Sequence, residues 1–228
     1  MSKETHELVS YLKRFIVKNR LDLFEEKIQY RTQHITVVLE NIFQGRNISA
    51  SIRSADCFGI QDIHIIENNN SFNDDVEVSI GAEKWVTTSR YNKKRNNTAT
   101  AIQKLKSEGY EIIATTPHKN KYNLYDIDIG KRKTALIFGS EIKGCSTKAL
   151  ELADRKMTIP MFGFTESFNI SVAVSLCLQH LTYKMRQSKI NWTLDPENKE
   201  KVMLQWLRNS IKASKQIEDK YLSKNNNK

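Results

Sequence analysis

The segments HITVVLENI (residues 34–42), SASIRSADCFGI (49–60) and QDIHIIE (61–67) decide the fold class. The first and third are short runs rich in β-branched residues, which favours strands over helices. The first reads as a buried strand. The segment between them reads as a helix. Strand, helix and strand in succession is α/β behaviour.

The same alternation continues downstream. NNNSFNDD (68–75) is a polar loop, TATAIQKLKSEG (98–109) an amphipathic helix closed by Gly109, and EIIATT (111–116) a strand. TALIFG (134–139) is the next strand, followed by SEIKGCS, a short helix from Thr147 to Ala153, the strand MTIPM (157–161) and a long helix over 169–187. The expectation is a mostly parallel sheet with helices on both faces.

The chain has 228 residues, 39% hydrophobic and 27% charged, which suits one substantial domain with terminal additions. Cys57, Cys145 and Cys177 lie far apart with no CxxC pair, so neither a disulfide framework nor a zinc site is indicated. The beginning MSKETHELVS has no signal-peptide core, and ISVAVSLCL is too short and serine-rich to span a bilayer. A cytoplasmic, membrane-free protein is expected. His34, His64, His118 and His180 are scattered and make no metal or triad set.

A net charge of +10 favours a polyanionic partner. The charge gathers at both ends. Lys13, Arg14, Lys18 and Arg20 accompany a helical pattern with apolar Leu8, Leu12, Phe15 and Ile16, while Lys201, Arg208, Lys212 and Lys215 lie off a stripe of Met203, Trp206, Leu207 and Ile211. Solvated helix faces and RNA contact are both open for these segments. Two further basic clusters, Lys93 to Arg95 and Lys131 to Lys133, fall in loops.

Ligands of parallel sheets bind beyond the carboxyl ends of the strands, so the loops there are the candidate site. ENIFQGRNISASIRSADCFG places Asn47 before a helix and Arg53 within it. Their six-residue separation is read as nearly two turns along one side, able to address a single groove. FGSEIKGCS is neither GxGxxG nor a P-loop, which removes the main support for a nicotinamide or nucleoside-triphosphate enzyme. IPMFGFTESFNISVAV (159–174) begins as a strand ending at Pro160 or Met161 and opens a helix with Ser167 and Asn169. These two residues fit either a helix cap or a site.

Taken in order, RNISASIRSADCFG, LIFGSEIKGCS and IPMFGFTESFNISVA, with GAEKWV between the first two, resemble the motifs of the TrmH branch of the SPOUT superfamily of RNA ribose 2′-O-methyltransferases. The resemblance covers roughly residues 34–187 and implies a C-terminal deep trefoil knot, a homodimer with sites at its interface, and S-adenosyl-L-methionine as cofactor. By the same resemblance, Thr115, Gly139, Ile159 and Phe168 hold the cofactor, and Asn47, Arg53, Glu141, Ser167 and Asn169 form the catalytic set, with no metal. Glu141 is expected to organise Arg53 or its loop, and Asn47 and Asn169 to position the ribose. QGRN lacks a proline found shortly before the motif-one asparagine in several relatives, and Cys145 stands where an aliphatic residue is expected.

The implied domains are a basic helical extension at 1–33, the methyltransferase domain at 34–187, and a basic helical extension at 188–228. Short basic extensions resemble the tRNA enzymes that methylate the D-loop guanosine 18. A ribosomal RNA 2′-O-methyltransferase, and a noncatalytic RNA-binding protein on the same scaffold, are the alternatives.

Overall fold

The computed structural model describes residues 3–72, 75–118, 121–130 and 132–225. Lys131 of the second basic loop cluster, two residues of the 68–75 loop and the last three residues lie outside them. The chain forms two compact units, Thr32–Trp192 and, from both termini, Met1–Arg31 with Thr193–Lys228.

In chain order the helices are α1 (Lys3–Leu12), α2 (Lys18–Lys27), α3 (Gly45–Phe58), α4 (Val76–Ser79), α5 (Thr98–Ser107), α6 (Thr147–Leu152), α7 (Ile170–Gln187), α8 (Pro196–Ser210) and α9 (Ser214–Asn225). The strands are β1 (Ile35–Glu40), β2 (Asp62–Ile66), β3 (Thr87–Tyr91), β4 (Tyr110–Thr115), β5 (Lys133–Phe138) and β6 (Arg155–Met157). They form one six-stranded sheet in the order β3-β2-β1-β5-β4-β6, and every pairing is parallel.

β1 is buried at every position, its polar Thr36 and Glu40 included. Alternate residues serve two cores. Val37 and Leu39 join Ile48, Ile52, Val174 and Leu178 beneath α3 and α7, while Val38 joins Ile102, Leu105 and Ala149 beneath α5 and α6. The α3 and α7 helices lie side by side, with Ser54 and Ser175 hydroxyls 2.8 Å apart and Arg186 donating to the Phe58 carbonyl at 2.9 Å. Gly59 ends α3 at φ 78°, the left-handed conformation that its missing Cβ permits, and its N–H returns to the Asp56 carbonyl.

The sheet holds one strand that local pattern does not announce. β3, TTSRY, is half-exposed and polar, because it is an edge strand with a single neighbour and needs no continuous apolar run. The last strand also differs from expectation. β6 stops at Met157 rather than continuing to Met161, since beyond Thr158, which bridges Asn123, the chain leaves the sheet, with Pro160 unable to donate to a ladder.

In the terminal unit the buried Trp206 ring packs edge-on to Phe24 at 5.4 Å and lies under the Arg31 guanidinium at 5.1 Å. Arg208 forms two 2.8 Å hydrogen bonds to Glu218. The N-terminal apolar pattern is not one helix. α1 ends at Leu12, and Phe15 falls in a short 3₁₀ turn that leaves it exposed. No helix among the described residues is long and apolar enough to cross a membrane.

Candidate active site

A cavity of about 580 Å³ opens beyond the carboxyl ends of β4 and β5. Its lining includes Thr115, Gly139, Ile159 and Phe168, the expected cofactor residues, together with Asn47, Glu141, Ser167 and Asn169. Arg53 is absent from that lining.

The cavity floor is set by backbone. After β5 the chain folds back on itself through Ser140 and Gly144, whose backbones exchange hydrogen bonds at 3.1 and 2.8 Å. A Cβ on Gly139 would meet the Gly144 and Cys145 backbone at 2.0 Å, so any other residue would force the loop apart. Thr115 Oγ1 donates to the Ile137 carbonyl at 2.9 Å, and the buried Cys145 thiol fills the space between Thr115 and Ile137. Burial pushes that thiol up to about 12, so Cys145 serves as a small packing group and not as a nucleophile.

Three segments distant in sequence meet through their side chains. Glu141 Oε1 accepts from Asn47 Nδ2 at 2.8 Å, and the carboxylate also accepts from the backbone N–H of Phe43 at 2.9 Å and Gln44 at 3.3 Å. It thereby caps α3, whose Gln44 makes no side-chain cap, and meets the positive end of the helix. Burial raises the Glu141 pKa, but the donors from Phe43, Asn47 and Gln44 outweigh it and hold the group below the ordinary glutamate value.

Asn47 passes the contact onward, its Oδ1 accepting from Asn169 Nδ2 at 3.1 Å. Asn169 in turn caps α7, its Oδ1 accepting from the Ser171 N–H at 2.9 Å and from the Ser171 hydroxyl at 2.7 Å. The two readings of Asn169 therefore coexist: it is the helix cap and it lines the cavity. Ser167 lines the cavity without capping the helix.

A buried carboxylate supports this cluster. Glu40, at the end of β1, accepts from the Ser146 N–H at 2.9 Å, the Ser146 hydroxyl at 2.7 Å and the Thr98 hydroxyl at 2.5 Å. Ser146 caps α6, so Glu40 fastens the loop that carries Gly139 and Glu141 to the sheet and to α5.

Two expectations are corrected. Asn47 is buried and Arg53 exposed, so they do not share one side of α3. At about 100° per residue, six residues place side chains about 120° apart, and the near-two-turn spacing is not a shared face. Of the two roles expected of Glu141, a hold on Arg53 or on the loop, the first falls away, since Arg53 has no hydrogen bond or ion pair with any described residue, and the carboxylate bonds instead to the Phe43 and Gln44 N–H groups of the loop before α3. Sequence reasoning also missed Met161, Glu166 and His118, which line the cavity from loops whose course is set by the sheet order. No group of three or more His, Cys, Asp or Glu able to hold a metal occurs among the described residues.

A parallel sheet whose post-strand loops close a glycine-floored cavity defines an α/β protein with a candidate site at the sheet's carboxyl end. Residues 34–179 match the SpoU rRNA Methylase family, and the chain belongs to that family. It is 35% identical over 219 residues to a tRNA (guanosine(18)-2′-O)-methyltransferase of Borreliella burgdorferi, covering 96% of this chain and 98% of that protein. It is 33% identical over 186 residues to the Thermus thermophilus protein of the same name, covering 81% and 93%. Among solved structures, the A. aeolicus TrmH/SpoU tRNA modifying enzyme superposes with a TM-score of 0.76 at 25% identity, covering 86% of this chain and 98% of that one.

Proposed function

We propose that this protein transfers the methyl group of S-adenosyl-L-methionine to the ribose 2′-hydroxyl of a guanosine in tRNA, the D-loop guanosine 18. The observation that carries the proposal is the junction of Glu141, Asn47 and Asn169 from three separate segments at one cavity. The near full-length likeness to proteins named for that reaction supports the substrate.

The residues present fit the cofactor. Gly139 lets the backbone of the 140–145 loop close against it to form the floor of a cradle, and Ile159 and Phe168 offer apolar walls suited to an adenine ring. When bound, the cofactor supplies an electrophilic methyl on a sulfonium. Thr115 lines the same cradle. Asn47 and Asn169 orient the ribose, Glu141 fixes Asn47, and Ser167 faces the reacting hydroxyl. Holding that hydroxyl in line converts a collision into an internal step.

Arg53 presents a planar fork of N–H donors whose geometry matches a phosphate. It clamps the substrate phosphate and stabilises the developing alkoxide, while the phosphate or water takes the hydroxyl proton. A homodimer accounts for its position. Val172, Leu176 and Tyr183 form an exposed apolar face on α7, beside α3, which carries Arg53. In this reading a second copy covers that face, and Arg53 serves the cavity of its partner.

The deep trefoil knot, a catalytic domain at 34–187 with RNA-gripping extensions at 1–33 and 188–228, and a cytoplasmic setting belong to the same proposal. The likeness to the A. aeolicus structure supports the knot, the basic ends support RNA contact, and three free cysteines suit a reducing compartment.

The test is transfer of labelled methyl from S-adenosyl-L-methionine to an unmodified tRNA transcript, mapped to the nucleotide, with a ribosomal RNA fragment and Arg53→Ala alongside. Label on the D-loop guanosine ribose that drops about 100-fold or more in Arg53→Ala upholds the proposal. Label confined to the ribosomal fragment replaces the substrate, and no label on either RNA from folded protein favours a noncatalytic RNA-binding role.

A further inference from the structure

Two carboxylates line the cavity, and they are in opposite states. Glu141 is saturated by donors from the α3 end. Glu166 is exposed and has no hydrogen bond or ion pair with any described residue. It belongs to the loop between β6 and α7, next to Ser167 and three positions before Asn169, and all three side chains line the same space.

We propose that Glu166 is a base-reading subsite that accepts the N1–H and 2-amino N–H of the target guanine. The inference rests on the guanosine ribose reaction proposed above and deepens it. An ionised carboxylate is acceptor-only, with two oxygens side by side. Guanine is the one standard RNA base whose Watson–Crick edge offers two adjacent N–H donors. Adenine and cytosine set one amino donor beside a ring acceptor, and uracil sets its single N–H between two carbonyl oxygens. The same carboxylate that grips guanine therefore faces lone pairs on every other base, and RNA enzymes read unstacked bases on this edge.

Covalent structure makes the location apt. The base is bonded to C1′, the neighbour of the C2′ that bears the reacting hydroxyl, so a group reading the base must adjoin the groups that orient the ribose. Adjacent residues are about 3.8 Å apart at Cα, and Glu166 adjoins Ser167. No other carboxylate on the cavity wall has its oxygens uncommitted.

The experiment compares wild type, Glu166→Gln and Glu166→Ala on tRNA transcripts carrying guanosine or inosine at the target position, since inosine lacks only the 2-amino group. Wild type is expected to prefer guanosine by about 10-fold or more in kcat/KM, as loss of one charge-assisted hydrogen bond implies. Glu166→Gln and Glu166→Ala are expected to lose about 10- to 100-fold on guanosine and much less on inosine, so the preference collapses. Cofactor affinity by calorimetry and the thermal midpoint are expected to stay at wild-type values. A guanosine-to-inosine ratio unchanged by both substitutions, or a wild type indifferent to inosine, overturns the subsite while leaving the methyltransferase proposal standing. A wild type that labels no guanosine ribose overturns that proposal, and this one with it.

Discussion

The Asn47 side-chain amide donates to Glu141 Oε1 at 2.8 Å across 94 positions of sequence. Through this bond the loop after β5 is clamped to the start of α3, and Asn169 extends the clamp to the start of α7. Glu141 therefore bears on the cavity through Asn47 rather than by contact with Arg53.

Glu141→Gln replaces an acceptor by a donor that must face an N–H of Phe43 or the Asn47 amide. Leaving such groups unsatisfied costs about 1–3 kcal/mol, and each kcal/mol lowers the melting midpoint by about 2–4 °C in a chain of this size. Scanning calorimetry should show that drop, with methyl transfer reduced about 10-fold or more. Because the folded pKa of Glu141 lies below the ordinary value, its stabilisation is complete above pH 4.5 and is lost as the pH falls through the folded value. The acid limb of stability should be shallower in Glu141→Gln.

Gly139→Ala must displace the 140–145 loop, given the 2.0 Å approach of its Cβ to backbone. Cofactor affinity by isothermal calorimetry should weaken about 10-fold or more, because the cradle deforms with the loop. Gly163→Ala, whose Cβ meets nothing within 4 Å, is the control and should bind as wild type does.

Glu40→Gln should be costlier to stability than an exposed glutamate substitution. Three donors converge on the Glu40 carboxylate, and an amide nitrogen among them would oppose another donor. A loss of about 1–3 kcal/mol is expected in denaturant unfolding, with the cofactor site loosened through Ser146.

His64 supplies a pH-dependent term away from the site. It is buried beside Tyr91, with Nδ1 2.9 Å from the phenol oxygen, and burial, aided by the charge of Lys104, lowers its pKa to about 4. The unfolded chain takes up a proton near pH 6.5 that the folded chain refuses until about pH 4, so stability declines by about 1.4 kcal/mol per pH unit across that window as the pH falls. Chemical denaturation from pH 7 to pH 4.5 should show this slope in wild type and a flatter one in His64→Gln.

Val172→Asp with Leu176→Asp should yield monomers in sedimentation, because charge on the exposed α7 face opposes its burial by a second copy. Methyl transfer should fall with the dimer, since Arg53 then has no partner cavity to serve. A monomeric variant with wild-type transfer would dismiss the shared-site proposal.

Much of this molecule was legible in local pattern. β-branched runs marked β1, β2, β4 and β5, the stretch between β1 and β2 marked α3, an amphipathic pattern closed by Gly109 marked α5, and the motifs named eight residues that line the cavity while missing Met161, Glu166 and His118 and adding Arg53, which does not line it. Such features follow from hydrogen bonding and steric preference within a few residues, and those are written in the local sequence. The edge strand β3 escaped because one covered side imposes little apolar demand, and β6 was overextended because a short apolar segment reads alike inside and outside a sheet. The meeting of Glu141, Asn47 and Asn169 was decided by tertiary structure. It depends on β5 lying next to β1 and on α7 returning beside α3, pairings whose free energy comes from burying two faces of the sheet at once. The side on which Arg53 emerges was likewise settled by which face of α3 that core consumed, since a helix repeats every 3.6 residues and only packing selects the face that is hidden.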